Sequence, residues 1–230
     1  MRHTKSEPPT PDNGRPGEAA LEDVVARHTV LARPPLCPEL ELHLITDACP
    51  LWRADEAELA RIGLEAPFWA FAWPGGQALA RYLLDRPDIA RGRRVLDFGA
   101  GGGVEALAAA RAGARSVRAT DLDPVAVAAC RMNARRNGLA LDADTEDVLG
   151  RADLDVDLVL AGDVTYEAGL GERVVTWLEA LAARGVRVLA ADPGRGFLPE
   201  GRLVPVASYD APSDVDVGGR HRVRTTVATV

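Results

Sequence analysis

From Arg94 onward the chain repeats one unit, a short apolar run rich in β-branched residues followed by an alanine-rich run at helical spacing. Arg94 to Phe98, Ser116 to Asp121, Leu141 to Thr145, Asp157 to Gly162 and Val186 to Ala191 read as strands. Val104 to Ala112, Pro124 to Asn137 and Leu170 to Arg184 read as helices. Asp123 caps the second of these, proline follows at its first position, and Gly138 stops it. Strands joined by helical crossovers pair in parallel, and strands that are apolar throughout must be covered on both faces. The pattern therefore predicts an α/β fold, a Rossmann-like parallel sheet with helices on both faces. Arg202 to Tyr209 and Arg222 to Val230 have no long helix between them, so they predict an antiparallel C-terminal hairpin completing one edge.

The 230 residues suit one large domain with a small appendage. Residues 1–17 carry four prolines among polar and charged side chains, which predicts a disordered tail without the apolar core of a signal peptide. Residues 18–66 form an accessory segment, with a helix over Glu18 to His28 and a short strand within Glu39 to Thr46. The main domain is expected over 67–230, opening on Phe68, Trp69, Phe71 and Trp73 and a helix from Gln77 to Leu84. No apolar run approaches the roughly 18 residues that a spanning helix needs. A cytoplasmic, monomeric protein with no membrane partner is the expectation.

Three cysteines without paired C-x-x-C spacing support neither a disulfide framework nor a metal site. A net charge of -7 opposes broad binding to phosphate backbones, so nucleic acid is not the expected partner. Lys5 is the only lysine; every other basic residue is arginine, scattered along the chain as solvated surface.

Three features fall at the strand ends, the edge where open α/β sheets bind ligands. The first is the run from Asp97 through Gly99, Gly101, Gly102 and Gly103, a D-x-G-x-G-x-G turn leaving a strand and entering a helix. Its glycines allow positive φ and a close approach to the backbone. The second is Asp121, placed to accept from the two hydroxyls of a ribose. A nucleoside is implied, and two ligands remain open. Gly101-x-Gly103-x-x-Ala106 also satisfies a dinucleotide fingerprint, while a carboxylate from Asp97 at the mouth of the turn would repel a pyrophosphate and suit the ammonium of S-adenosylmethionine. The third feature is Asp163-Val164-Thr165-Tyr166. Its acid and phenol either flank a sulfonium and hold a nucleophile, or cap a turn and pack.

The segment P-F-W-A-F-A-W-P-G-G-Q-A-L-A-R-Y-L-L-D-R-P-D from Pro67, together with V-L-D-F-G-A-G-G-G, T-D-L-D-P, G-D-V-T-Y and D-P-G-R, resembles a known family. It is that of the seven-β-strand lysine methyltransferases that modify the β-subunit of electron transfer flavoprotein. The resemblance runs from about residue 38 to the C-terminus. It implies a seven-stranded methyltransferase sheet, S-adenosylmethionine as donor, and lysine of a protein, the electron transfer flavoprotein β-subunit, as acceptor. By that resemblance Asp97, Gly99, Gly101 and Gly103 hold the methionine end of the donor, Asp121 the ribose and Asp147 the adenine amino group. Trp73 lies near the donor, and Asp163 with Tyr166 borders methyl transfer. Two departures stand out: the targeting segment of mitochondrial members has no counterpart in Met1 to Gly17, and Gly196 to Asp216 is poorly matched. A small-molecule N-methyltransferase acting on a nicotinamide-like amine, or a non-catalytic nucleotide-binding protein, are the alternatives.

A lysine with a pKa near 10.4 costs about 4 kcal/mol to deprotonate at neutral pH. Desolvation and alignment must offset this. Asp163 is expected to orient the amine and steady its developing charge, with Tyr166, Trp69 and Trp73 forming a cation-friendly channel. Arg195 of D-P-G-R either meets an acidic patch on a protein substrate or pairs with a local carboxylate.

Overall fold

The computed structural model describes residues 17–46, 49, 56–61, 66–196, 201–212 and 222–230. Residues 1–16 of the expected tail over 1–17, and part of the stretch from Gly196 to Asp216, lie outside the described residues. The chain begins with α1 (Glu18–His28), an antiparallel ribbon of β1 (Val30–Ala32) and β2 (Leu42–Leu44), and the short α2 (Glu56–Arg61). A 3-10 turn at Phe68–Ala70 leads into α3 (Pro74–Asp85). The repeating unit follows as β3 (Arg94–Phe98), α4 (Val104–Arg111), β4 (Ser116–Thr120), α5 (Pro124–Arg136), β5 (Asp142–Asp144), β6 (Leu158–Gly162), α6 (Ala168–Ala183) and β7 (Arg187–Asp192). The hairpin β8 (Val204–Pro212) and β9 (Arg222–Thr229) completes the sheet.

The sheet has seven strands in the order β5-β4-β3-β6-β7-β9-β8. Strands β3 to β7 are mutually parallel, and β9 runs against both β7 and β8. Side chains in a strand alternate between faces, and here both faces are buried. Val95, Leu158, Leu160 and Leu189 join Leu79, Leu83 and Leu107 on one face. Leu96, Val159, Ala161 and Val188 join Val174, Trp177, Leu178 and Leu181 of α6 on the other. That division is why β6 reads as an unbroken apolar run.

Leu40, Leu42 and Leu44 join the first of these cores. The glycine turn is tied to the same segment through Asn133 of α5, which is fully buried. Its side chain accepts from His43 N at 2.8 Å and donates to Gly102 O at 2.9 Å. The N-terminal ribbon thus braces the turn from outside the sheet.

Among the described residues no helix is long and apolar enough to cross a membrane. Chain order passes from β3 outward to β4 and β5, then returns across β3 to β6. This reversal opens a crevice beyond the ends of β3, β4 and β6.

Candidate active site

The crevice is floored by the turn between β3 and α4. Gly99, Gly101 and Gly103 all take positive φ, at 69°, 51° and 82°. At Gly103 there is a second constraint: a Cβ there would sit 2.5 Å from the Cys130 sulfur. The turn is zipped to β4, since Gly99 N and Ala100 N both donate to Thr120 O.

Asp121, just past β4, accepts from Gly101 N at 2.8 Å and Asp123 N at 3.0 Å. Burial raises its pKa, opposed by these two N–H groups. It remains half-buried, and each carboxylate oxygen keeps a further lone pair. It can therefore fix the turn and accept from a diol at once.

Asp97 lies elsewhere than the mouth of the turn. It shares the face of β3 that carries Val95, so its side chain points under α4, is 1% exposed and accepts from Ala106 N at 2.9 Å. Burial pushes its pKa up to about 7. Beside it is Glu105, a residue the strand and motif reading passed over, 5% exposed and likewise held well above the usual carboxylate range by burial. The Oε2 of Glu105 has no hydrogen-bond partner in the structure. A carboxylate on the first turn of a helix made of valine, alanine and leucine up to its final arginine was its signal in the sequence.

Asp163 follows β6 with φ 58°, a left-handed conformation that aspartate tolerates better than most residues. Its Oδ2 accepts from Gly76 N at 2.8 Å, at the N-terminus of α3, and its Oδ1 from Arg195 Nη1 at 2.6 Å. Its side chain is 8% exposed. Burial raises its pKa to about 6 against the lowering effect of Arg195 and the Gly76 N–H. Gly75 makes this possible, because a Cβ there would lie 2.5 Å from Asp163 Oδ2. Arg195 therefore pairs with local carboxylates: Asp192 Oδ2 is also 3.6 Å from its Nη1.

The aromatic segment closes one wall. Trp73 caps α3 ahead of Pro74, donates from Nε1 to Phe68 O at 2.7 Å, and packs against Phe71 at 5.4 Å between ring centroids. The Arg195 guanidinium stands 5.7 Å from the Trp73 ring centroid. Trp69 is not a channel wall. It is 4% exposed and packs with Val25, Ile45, Ala126 and Ala129, while Phe68 is 64% exposed. Tyr166 is 62% exposed at the rim beyond Asp163. Asp147 is also exposed, on the loop after β5, where its Oδ1 accepts from Leu149 N at 3.0 Å.

The structure thus gathers the glycine turn, Asp97, Asp121 and Asp163 at adjoining strand ends, with Trp73 against Arg195. A pyrophosphate against the turn would meet the half-buried carboxylate of Asp121, and the guanidinium of Arg195 is already engaged by the buried Asp163 and Asp192. The set of groups suits a cationic adenosyl ligand.

A family model described as ribosomal protein L11 methyltransferase (PrmA) matches residues 77–163. The electron transfer flavoprotein beta subunit lysine methyltransferase of Xenopus laevis is 44% identical over 191 residues, covering 80% of this chain and 76% of its own. The protein of that name from Rattus norvegicus is 40% identical, covering 77% of this chain and 71% of its own. Among solved structures, a ribosomal protein L11 methylase from Lactobacillus delbrueckii subsp. bulgaricus is 22% identical with a TM-score of 0.47, covering 67% of this chain and 77% of that one. On identity sustained across most of both sequences, the chain belongs to the family of electron transfer flavoprotein beta subunit lysine methyltransferases.

Proposed function

We propose that this protein is an S-adenosylmethionine-dependent protein-lysine N-methyltransferase acting on the β-subunit of electron transfer flavoprotein. The observation that carries the reading is 44% identity over 80% of the chain to a relative named for that activity. The carboxylates at the strand ends agree with it.

When bound, the donor supplies a methyl group on a sulfonium, with a neutral thioether as leaving group. Asp121 would accept from its ribose hydroxyls and the glycine turn would lie against its methionine end. Asp97 shapes that turn from beneath through Ala106 N. Asp147 would reach the adenine amino group from the β5 loop.

The acceptor lysine must arrive neutral and in line. In the transfer its nitrogen lone pair forms the N–C bond, the C–S bond breaks with its electrons to sulfur, and the amine proton leaves to solvent. Asp163 presents a buried carboxylate to that nitrogen, which orients the amine and stabilises the charge that grows on it. Trp73, whose ring also faces the Arg195 guanidinium at 5.7 Å, borders the acceptor's path, and Tyr166 lines the entry. Burial raises Asp163 only to about 6, so it is ionised at neutral pH.

The test is incubation of the purified protein with methyl-labelled donor and electron transfer flavoprotein, followed by mass spectrometry. Methylated lysine in the β-subunit is the expected result. Label confined to a small-molecule fraction, or to ribosomal protein, would contradict the acceptor.

A further inference from the structure

Arg195 belongs to none of the roles just described, yet at the crevice it is held by two carboxylates and faces an aromatic ring. Its Nη1 lies 2.6 Å from Asp163 Oδ1, and its backbone N donates to Asp192 Oδ1 at 3.0 Å, beside Gly194 N at 2.6 Å. Asp192 is itself fixed by Thr165 Oγ1 at 3.1 Å. The guanidinium also faces the Trp73 ring at 5.7 Å. One side chain therefore joins the loop after β6, the loop after β7 and the aromatic segment before α3. The three side chains at its centre are little exposed, Arg195 at 20%, Asp163 at 8% and Asp192 at 4%.

We infer that Arg195 is a positioning residue for methyl transfer: seated between Trp73 and Asp192, it fixes the Asp163 carboxylate in one orientation and in its ionised form. The inference deepens the proposed function and rests on it for the role of Asp163. The carboxylate is held from two sides, by Gly76 N on one oxygen and by Arg195 on the other. Without Arg195, Oδ1 loses its guanidinium donor, and a carboxylate held by one N–H is free to rotate about its χ2.

The charge environment demands the same residue. Asp163 faces Glu105 from α4, Asp192 from the end of β7 and the Gly76 N–H from α3, with Asp97 behind Glu105. Burial and Asp192 favour its protonated form, and Arg195 is the guanidinium that opposes them. A lysine could supply the charge but not the delocalised guanidinium that reaches Asp163 through Nη1 while facing the Trp73 ring.

The test uses full-length Arg195→Ala, Arg195→Gln and Arg195→Lys proteins, each checked by thermal unfolding. The first readout is a carbon-detected NMR titration of the Asp163 carboxyl, which needs no acceptor and so stands even if the acceptor is another molecule. Its midpoint is expected to rise by about one unit or more in the Ala and Gln proteins and to return most of the way in the Lys protein. The second readout is turnover. In the Ala protein kcat is expected to fall about tenfold or more, and the acid limb of its pH profile to move to higher pH. Affinity for S-adenosylhomocysteine should change less than about threefold. An unmoved Asp163 midpoint would overturn the inference. So would a lower KM with undiminished kcat, which would mean that Arg195 merely occupies the acceptor's place. Wild-type protein that methylates no lysine would instead refute the proposed function, and the NMR titration would still decide the part played by Arg195.

Discussion

At Asp163 one backbone angle and two hydrogen bonds set the chemistry. A φ of 58° turns its side chain back over α3, and Gly76 N and Arg195 then hold both oxygens. Asparagine tolerates the same conformation and still accepts from Gly76 N, so Asp163→Asn removes charge while keeping shape. That protein is expected to lose turnover by about 100-fold or more while binding S-adenosylhomocysteine within about threefold of wild type. Asp121→Ala should do the reverse, weakening S-adenosylhomocysteine by about tenfold or more because a hydrogen-bonded diol loses its acceptor. Calorimetry on the two proteins separates the roles; equal loss of affinity in both would remove the distinction. At this scale the sequence placed Asp97, Asp121 and Asp163 at strand ends, where the structure has them, but not the orientation of Asp97. Asp97 alternates to the α4 face of β3 and is buried, which the period of a strand determines only once its neighbours are known. Trp69 went inward for the same kind of reason, since the core of α1 and α5 that receives it is assembled from remote segments.

Elements were the most legible level. The strands and helices from Arg94 to Asp192 follow the alternation of apolar and alanine-rich runs, and the cap at Asp123 is present, its side chain accepting from Val125 N at 2.7 Å. Some short elements were missed: β1, α2 and the 3-10 turn at Phe68–Ala70 are three to six residues long, too few for a period to declare itself. Helix α3 begins three residues earlier than Gln77 because Pro74 fits a first helical position and the two glycines after it are needed for close packing. Gly75→Ala tests that packing. Its Cβ would meet Asp163 Oδ2 at 2.5 Å and Ala191 O at 2.7 Å, so a loss of about 2 kcal/mol or more is expected in chemical denaturation, with activity lost as Asp163 moves. Gly169→Ala in α6 is the control. Nothing lies within 4 Å of its added carbon, and alanine in a helix should stabilise by about 0.5–1 kcal/mol. Two equally harmless substitutions would contradict the crowding assigned to Gly75.

For the molecule as a whole, the buried pair of Asp97 and Glu105 makes stability depend on pH. Both folded-state pKa values are raised, chiefly by burial, so above the ordinary carboxylate range the folded chain holds protons that the unfolded chain has released. Stability therefore falls as pH rises through the folded values. Between pH 6.5 and 8 a loss of about 1 kcal/mol or more is expected, and Glu105→Gln should flatten it. The surface carboxylates lowered by arginine, such as Asp144 and Asp157, are ionised throughout that window and do not contribute to the slope. A wild-type stability that rises across this range would show the pair to be solvated. The order of strands around β3 was not legible from the chain itself, because the return from β5 to β6 depends on which sheet edge remains open, yet it is this return that creates the crevice. What the crevice accepts is the central question, and calorimetric titration of the purified protein with S-adenosylhomocysteine and, separately, with NAD answers it. Saturable micromolar binding of the first and no heat from the second is the expected outcome; tight binding of NAD with none of S-adenosylhomocysteine would contradict it.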